Sequence, residues 1–296
     1  MEENWENWIV YVNGDLLPVK EAKISAFDRG FQFGDTVFEG LRCYDGRIFK
    51  LKEHTDRLFR SAKAVWIEIP MTKEEFNEAI KSVVRANKFR NCHIKPQVSR
   101  GNAFKLGFDP RNTTKPNIVI PARPIGKTHF IGVGEGLKLA CVSIRKTPAL
   151  CLDPRVKSGN YLNNLLARAE AIAKGADEAV VFDIFGYVSE GAGCNIFFVK
   201  GGELYTSPVQ DALEGITRQT VIEMAERRKI KVHEKRLTNY DIYNADEIFV
   251  TGSGAGIMPV IEVDKMIVSG RKIGPVTKII SDDYAEEVKK GEPVFE

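Results

Sequence analysis

Residues 178–207, EAVVFDIFGYVSEGAGCNIFFVKGGELYTS, hold three apolar runs separated only by glycine-containing turns. Such links are too short for the crossover that joins parallel neighbours, so the stretch predicts an antiparallel meander. The same device recurs near the start of the chain. WIVYVNGDLLP breaks at Asn13–Gly14 and GLRCYDGRIFKL at Asp45–Gly46, pairs suited to the left-handed positions of a two-residue hairpin. Helical periodicity is gathered elsewhere. The spacing predicts a helix from about Lys52 to Val65 and another from Thr72, where Thr72 and Glu75 make a capping box ahead of the stripe Phe76, Ala79, Ile80, Val83 and Val84. HIKPQVSRG and PNIVIPA read as two further strands. Strands and helices kept in separate clusters predict an α+β chain, not a Rossmann sheet.

The 296 residues suffice for two such domains. PARPIGKTHF (121–130) mixes proline, glycine and charge without periodicity and reads as the interdomain linker. It leaves a smaller domain over 1–120 and a larger one over 131–296. The larger opens with a strand, LKLACVSIRK. From Asn160 a helix follows with Leu162, Leu165, Leu166, Ala169, Ile172 and Ala173 as its apolar stripe, stopped by Gly175. EGITRQTVIEMAERRK predicts a helix headed by Gly215 and Thr217. ADEIFVTGSGAGIMPVIEVD predicts two strands around a glycine-rich turn, and PVTKIISDDYAEEVKKG a last helix.

Charge and cysteine usage exclude several classes. A net charge of +3 gives no support for a nucleic-acid or membrane partner, and no apolar run approaches spanning length. The acidic start, MEENWENW, does not resemble a signal peptide. Five scattered cysteines without a CxxC pair suggest neither a disulfide framework nor a zinc site, and point to a reducing cytoplasm. The four histidines have no metal-ligand spacing, so no metal is expected.

Chemistry concentrates at a few positions. Lys157 follows a DPR turn and stands just ahead of the predicted helix, where the helix dipole and partial burial disfavour an ammonium; a neutral amine is the form that attacks a carbonyl. Glu190 ends a strand in YVSEGAGCN. A carboxylate there is an ordinary turn residue, or the acidic partner of a cationic ring nitrogen such as that of pyridoxal phosphate (PLP). Two stretches could cradle the phosphate: EGITRQT, through the amides of Ile216 and Thr217 at a helix N-terminus, and TGSGAGIM, through successive N–H groups of a glycine-rich turn. Arg57 could add a bidentate contact. In HIKPQVSRG, alternation sets His93, Lys95, Gln97 and Ser99 on one face, which is either a half-exposed strand or a cationic wall for a substrate carboxylate.

Taken in order, DRGFQFGDTVFEG, HTDRLFRSA, VKSGNYLNNLLARAEA, VSEGAGCNIFFVK, LEGITRQTVIE and ADEIFVTGSGAGIMPV give the chain a resemblance to the class IV aminotransferases, PLP enzymes of fold type IV, over most of its length. The resemblance implies a smaller N-terminal α/β sandwich and a larger, β-rich C-terminal domain with helices. It implies that Lys157 carries PLP and moves the substrate proton, that Glu190 pairs with the pyridine nitrogen, and that Tyr161 bonds the phenolic oxygen. Arg57, Ile216, Thr217 and Ser253 then hold the phosphate, and Leu213 packs on the ring. Phe33, Phe38, His93, Lys95, Lys105, Gly254 and Ala255 fall on the substrate side. It also implies a homodimer or higher homo-oligomer and ping-pong exchange between an amino donor and a 2-oxo acid.

Within that family VFEGLRCYDG, NYLNNLLARAEA and LEGITR look most like branched-chain aminotransferases, with 2-oxoglutarate as acceptor. Those enzymes carry Tyr and Arg where this chain has His93 and Lys95, and Tyr where it has Phe33. DRGFQFGD is also similar to D-amino-acid transaminases, and TPALCLDPRVK and GAGIMPV to (R)-selective amine transaminases. A PLP lyase of the aminodeoxychorismate lyase type shares the fold.

Overall fold

The computed structural model describes residues 5–125 and 136–295. They form two compact units. The first gathers the chain before the 126–135 segment, the short piece Val156–Asn160 and the C-terminal residues from Val288; the second takes the rest. Ala122–Pro124, at the head of the segment read as the linker, is a strand, and residues 126–130 of that segment lie outside the described residues.

In chain order the first unit contains β1 (Ile9–Val12), β2 (Asp15–Pro18), α1 (Arg29–Phe33), β3 (Thr36–Phe38), β4 (Leu41–Tyr44), β5 (Arg47–Ile48), α2 (Leu51–Ala64), α3 (Lys73–Asn87), β6 (Cys92–Ile94), β7 (Gln97–Ser99), β8 (Asn117–Ile120) and β9 (Ala122–Pro124). Two sheets result, ordered β2-β1-β8-β7-β3 and β5-β4-β6-β9, the second extended at β5 by the C-terminal Glu292–Pro293. Both hairpins turn where expected, with Asn13, Gly14, Asp45 and Gly46 all at positive φ. The Thr72 capping box forms, and Phe76, Ala79, Ile80, Val83 and Val84 are the buried face of α3. They join Leu51, Leu58 and Ala62 of α2 over Val37, Leu41, Ile94, Val98 and Ile120 of the sheets. HIKPQVSRG is not one strand. It breaks at Lys95–Pro96 into β6 and β7, which belong to different sheets, because proline cannot donate to a ladder. PNIVIPA divides in the same way at Pro121. The single polar face expected from alternation is therefore lost, and Ser99 is buried against Asp28.

The second unit contains β10 (Leu137–Arg145), α4 (Leu162–Ala173), β11 (Glu178–Phe182), β12 (Val188–Glu190), β13 (Asn195–Lys200), β14 (Glu203–Thr206), α5 (Ile216–Arg227), β15 (Val232–Glu234), α6 (Asn239–Tyr243), β16 (Glu247–Gly252), β17 (Gly256–Val263), β18 (Met266–Ile267) and α7 (Pro275–Glu287). Its sheet runs β12-β11-β10-β17-β16-β13-β14-β15, with β18 on β17. The predicted meander is interrupted. β12 pairs with β11 at the edge, whereas β13 pairs with β14 and β16 further in. Glycine turns fix where the chain reverses but not which strand receives it. β10 lies parallel to β11 and β17 and separates the two halves.

Helix α4 also departs from its predicted packing. Only Ala167 and Ala171 are buried, against Ala140, Val142, Ala179 and Val181. Two alanines let the helix lie close on β10 and β11. Leu162, Leu165, Leu166 and Ile172 of the predicted core stripe are exposed. Gly175, at φ 76°, follows the helix end as expected. No helix among the described residues is long and apolar enough to cross a membrane.

Candidate active site

Lys157 belongs to the first unit, five residues ahead of Leu162, so the α4 terminus is not what sets its placement. Its segment is stitched to β3. Lys157 O accepts from Phe38 N at 2.9 Å, Gly159 N donates to Thr36 O at 2.7 Å, and Ser158 bridges Val37. A Cβ at Gly159 would overlap the Thr36 side chain, so this close approach requires glycine. Lys157 N donates to Ser61 Oγ of α2 at 3.2 Å.

The Lys157 ammonium stands 4.6 Å from the centre of the Phe38 ring, and Lys95 Nζ lies 5.0 Å from the same centre. Burial, then the Lys157 and Arg123 cations, push the Lys95 ammonium below its ordinary value. The His93 ring lies against Gly40, where an added Cβ would come within 3.1 Å of Nε2. Phe33, at the end of α1, is half-exposed and contacts Phe108 at 5.2 Å. Lys105 is exposed in the loop that Arg29 ties down through Gly107 O and Phe108 O.

Arg57, on α2, is buried and forked onto Glu39. Nε reaches Oε1 at 2.6 Å and Nη2 reaches Oε2 at 2.8 Å. His54 Nδ1, one helical turn away, lies 2.7 Å from Glu39 Oε2. Burial would raise the Glu39 carboxyl, but Arg57 and His54 hold it far below the usual carboxylate range. Burial pushes the His54 imidazole below its ordinary value despite Glu39 beside it.

Glu190, in the second unit, ends β12 and is buried. Oε1 accepts from Lys146 Nζ at 2.5 Å; Oε2 accepts from Leu213 N at 3.1 Å and Asn195 Nδ2 at 3.4 Å. The turn after it is gripped by the buried Glu178, whose Oε1 accepts from Ala192 N at 3.0 Å. Asn195 also donates to Leu213 O at 2.9 Å, and a Cβ at Gly215 would overlap Asn195 Oδ1. One short segment, residues 211–217, thus runs from the Glu190 carboxylate to the N-terminus of α5.

That helix begins at Ile216 with Gly215 as an N-cap that offers no side-chain acceptor. The Thr217 hydroxyl in its first turn is buried without a hydrogen-bond partner. So is the hydroxyl of Thr251, at the end of β16 and directly opposite Asn195 in the sheet register. A buried hydroxyl left unpaired costs about 1–3 kcal/mol, so native proteins rarely keep one without a use. An orphaned hydroxyl in the first turn of a helix whose N-cap offers no side-chain acceptor fits a phosphate group. A buried carboxylate at the other end of the same segment fits a cationic ring nitrogen. The donor set therefore fits PLP. Ser253, Gly254 and Ala255 form the half-exposed turn between β16 and β17, and Tyr161 is the N-cap residue of α4. No group of His, Cys, Asp or Glu that could hold a metal occurs among the described residues.

Lys146, Glu39, Asn195 and Thr251 escape a reading of sequence alone. A charged residue within the apolar run TVFEG was the available signal for Glu39. Lys146, in SIRKTP, has no local pattern that separates it from a surface lysine.

The sequence model of the class IV amino-transferases matches residues 36–263. A putative branched-chain-amino-acid aminotransferase of Methanocaldococcus jannaschii is 45% identical over 278 residues, 94% of this chain and 95% of that protein. The branched-chain aminotransferase of Thermoproteus uzoniensis, solved with norvaline, gives a TM-score of 0.90 at 35% identity over 97% of this chain and 99% of the other. The PLP form of the Thermobaculum terrenum branched-chain amino acid aminotransferase gives 0.86 at 31% identity, over 96% and 95% of the two chains.

Proposed function

The chain belongs to the class IV aminotransferases, and we propose that it passes the amino group of a branched-chain or other hydrophobic L-amino acid to a 2-oxo acid, with 2-oxoglutarate as an acceptor. It is a PLP-dependent transaminase. The short segment that joins Leu213, whose N–H meets the Glu190 carboxylate and whose carbonyl meets Asn195, to the orphaned Thr217 hydroxyl is the observation that carries this reading. The substrates named for its relatives support the donor class.

When bound, PLP supplies a carbonyl that exchanges amines and a ring that draws electrons from the substrate α-carbon. Lys157 Nζ would hold the cofactor through that carbonyl and, when free, would serve as the base that moves the substrate α-proton. The Phe38 ring, 4.6 Å from Nζ, and the neighbouring Lys95 restrain where Nζ moves. Glu190 would accept the ring N–H and hold that proton on the nitrogen. Tyr161 would bond the phenolic oxygen. Arg57, oriented by Glu39, would hold the phosphate, as would the Ile216 and Thr217 amides, the Thr217 hydroxyl and Ser253. Leu213 would pack on the ring.

Phe33 and Phe38 offer apolar surface to a hydrophobic donor side chain, while Lys95 and His93 suit a carboxylate. Lys105, Gly254 and Ala255 complete the substrate side. A partner site needing both apolar and cationic surface matches alternate use by a hydrophobic donor and a dicarboxylate acceptor. Exposed Leu162, Leu165, Leu166 and Ile172 support a homo-oligomer in which a second copy covers α4. Five free thiols support a reducing cytoplasm.

The test is a half-reaction panel. L-leucine, D-alanine and (R)-1-phenylethylamine are each mixed with the PLP-loaded enzyme, and the decay of the cofactor's long-wavelength absorbance is timed. L-leucine is expected to react fastest. Faster decay with D-alanine or the amine overturns the donor assignment, and pyruvate release from aminodeoxychorismate without amino transfer identifies a lyase.

A further inference from the structure

We propose that Lys146 is a positioning residue for transamination, holding the Glu190 carboxylate aimed so that the proton of the Glu190–cofactor contact stays on the ring nitrogen. The inference rests on the reading of Glu190 as the partner of that nitrogen.

Lys146 directly follows β10 and is anchored there by its own N–H to Phe182 O at 2.8 Å. The side chain turns inward, 15% exposed, and places Nζ 2.5 Å from Glu190 Oε1. Burial alone would push this ammonium below its ordinary value. The Glu190 carboxylate outweighs burial, and Tyr161 adds to it, so the ammonium pKa is raised above its ordinary value. Lys146 is thus a persistent cation flanked by the two groups read as contacts for the ring nitrogen and the phenolic oxygen.

An ionised carboxylate offers about four lone-pair sites. Lys146, Leu213 N and Asn195 Nδ2 fill three at Glu190, leaving room for one further donor. With its other contacts fixed, the carboxylate cannot rotate away from that donor. Charge decides where the shared proton rests. The Lys146 cation touches the carboxylate and lies further from a nitrogen beyond it, so its field attracts the carboxylate's negative charge more strongly than it repels a positive charge on the ring. With Lys146 neutralised, a buried carboxylate facing a buried pyridinium gains by taking the proton, leaving a neutral pair and a weaker electron sink. No redox change and no other reactant is involved; one proton moves from nitrogen to oxygen.

The experiment uses holoenzyme loaded with ring-15N PLP, comparing wild type, K146Q, K146R and E190Q by 15N NMR. K146Q is expected to move the ring-nitrogen signal from the protonated toward the neutral position and to slow α-proton removal from L-leucine at least tenfold. K146R is expected to restore both. An unmoved signal in K146Q, with E190Q displaced, overturns the role of Lys146 and leaves that of Glu190 standing. An unmoved signal in E190Q overturns the reading of Glu190 itself. Should K146Q fail to retain cofactor, K146R decides alone: a signal displaced toward neutral in that variant, which keeps the charge, refutes the proposal.

Discussion

Glu39→Gln isolates one charge in the most deeply buried ionic cluster of the first unit. Glu39 and Arg57 are 1% and 4% exposed and share two hydrogen bonds of 2.6 and 2.8 Å. Unit charges about 4 Å apart attract by about 4 kcal/mol at an effective dielectric constant of about 20, and breaking one side of a buried pair costs roughly 3–5 kcal/mol. Glutamine keeps the shape and an acceptor oxygen but not the charge. The expected loss is therefore at the lower end, about 3 kcal/mol, or about a hundredfold in the unfolding equilibrium. Trp5, Trp8 and Trp66 are the three tryptophans of the chain, and all belong to the first unit, so their fluorescence follows its unfolding in urea. Measurement after cofactor removal keeps ligand linkage out of the comparison. Arg57→Met added to Glu39→Gln removes the stranded cation and should recover at least half of the loss. A single-variant loss below about 1 kcal/mol, or a double variant whose losses simply add, would falsify the account of a buried pair.

The same cluster predicts acid sensitivity. His54 has a depressed pKa, so its burial stabilises the fold above the ordinary imidazole value of 6.5 and loses that contribution as pH falls through it. Glu39, also depressed, withdraws its contribution only below the ordinary carboxyl value of 4.5. The urea midpoint should start to fall near pH 6.5 in wild type, and a midpoint flat to pH 5 would contradict a neutral buried His54. Lys157→Ala should abolish the long-wavelength absorbance of the PLP enzyme; a retained band removes Lys157 from its role. Thr217→Val should leave urea stability unchanged without cofactor but weaken PLP retention about tenfold or more, the worth of a hydrogen bond to a charged group. Loss of stability with undiminished retention would make the hydroxyl structural. Leu165→Asp with Leu166→Asp should convert the proposed homo-oligomer to monomers in sedimentation, and a wild-type monomer would remove the need for any cover on α4.

Local chemistry was legible in the sequence where a few neighbouring residues decide the outcome. Asn13–Gly14, Asp45–Gly46 and the Thr72–Glu75 cap each act within four residues, and each forms. Long-range choices were not legible. Nothing near Gly191 says that β13 must pair with β16, and nothing in the α4 stripe says that two alanines will face inward while the leucines face out. A helical stripe marks an apolar face but not what covers it. The site divides in the same way. Lys157 and Glu190, each an ordinary residue beside a turn when read alone, stand out only because the ordered motifs that carry the family resemblance include them. Lys146, Glu39 and Asn195 act through partners 44, 18 and 18 positions away, distances at which spacing carries no signal.

The stitching of Val156–Asn160 to β3 has a consequence for how such enzymes are taken apart and recombined. The lysine is encoded within the second half of the chain yet folds with the first. A chimera that joins two relatives anywhere between β9 and Lys157 takes the strand β3 from one parent and the lysine-bearing segment from the other. The Gly159–Thr36 fit, with no room for a Cβ, must then be matched across that junction. Halves exchanged between β9 and Val156 are not self-sufficient modules, because the Val156–Asn160 segment travels without the β3 partners it folds against.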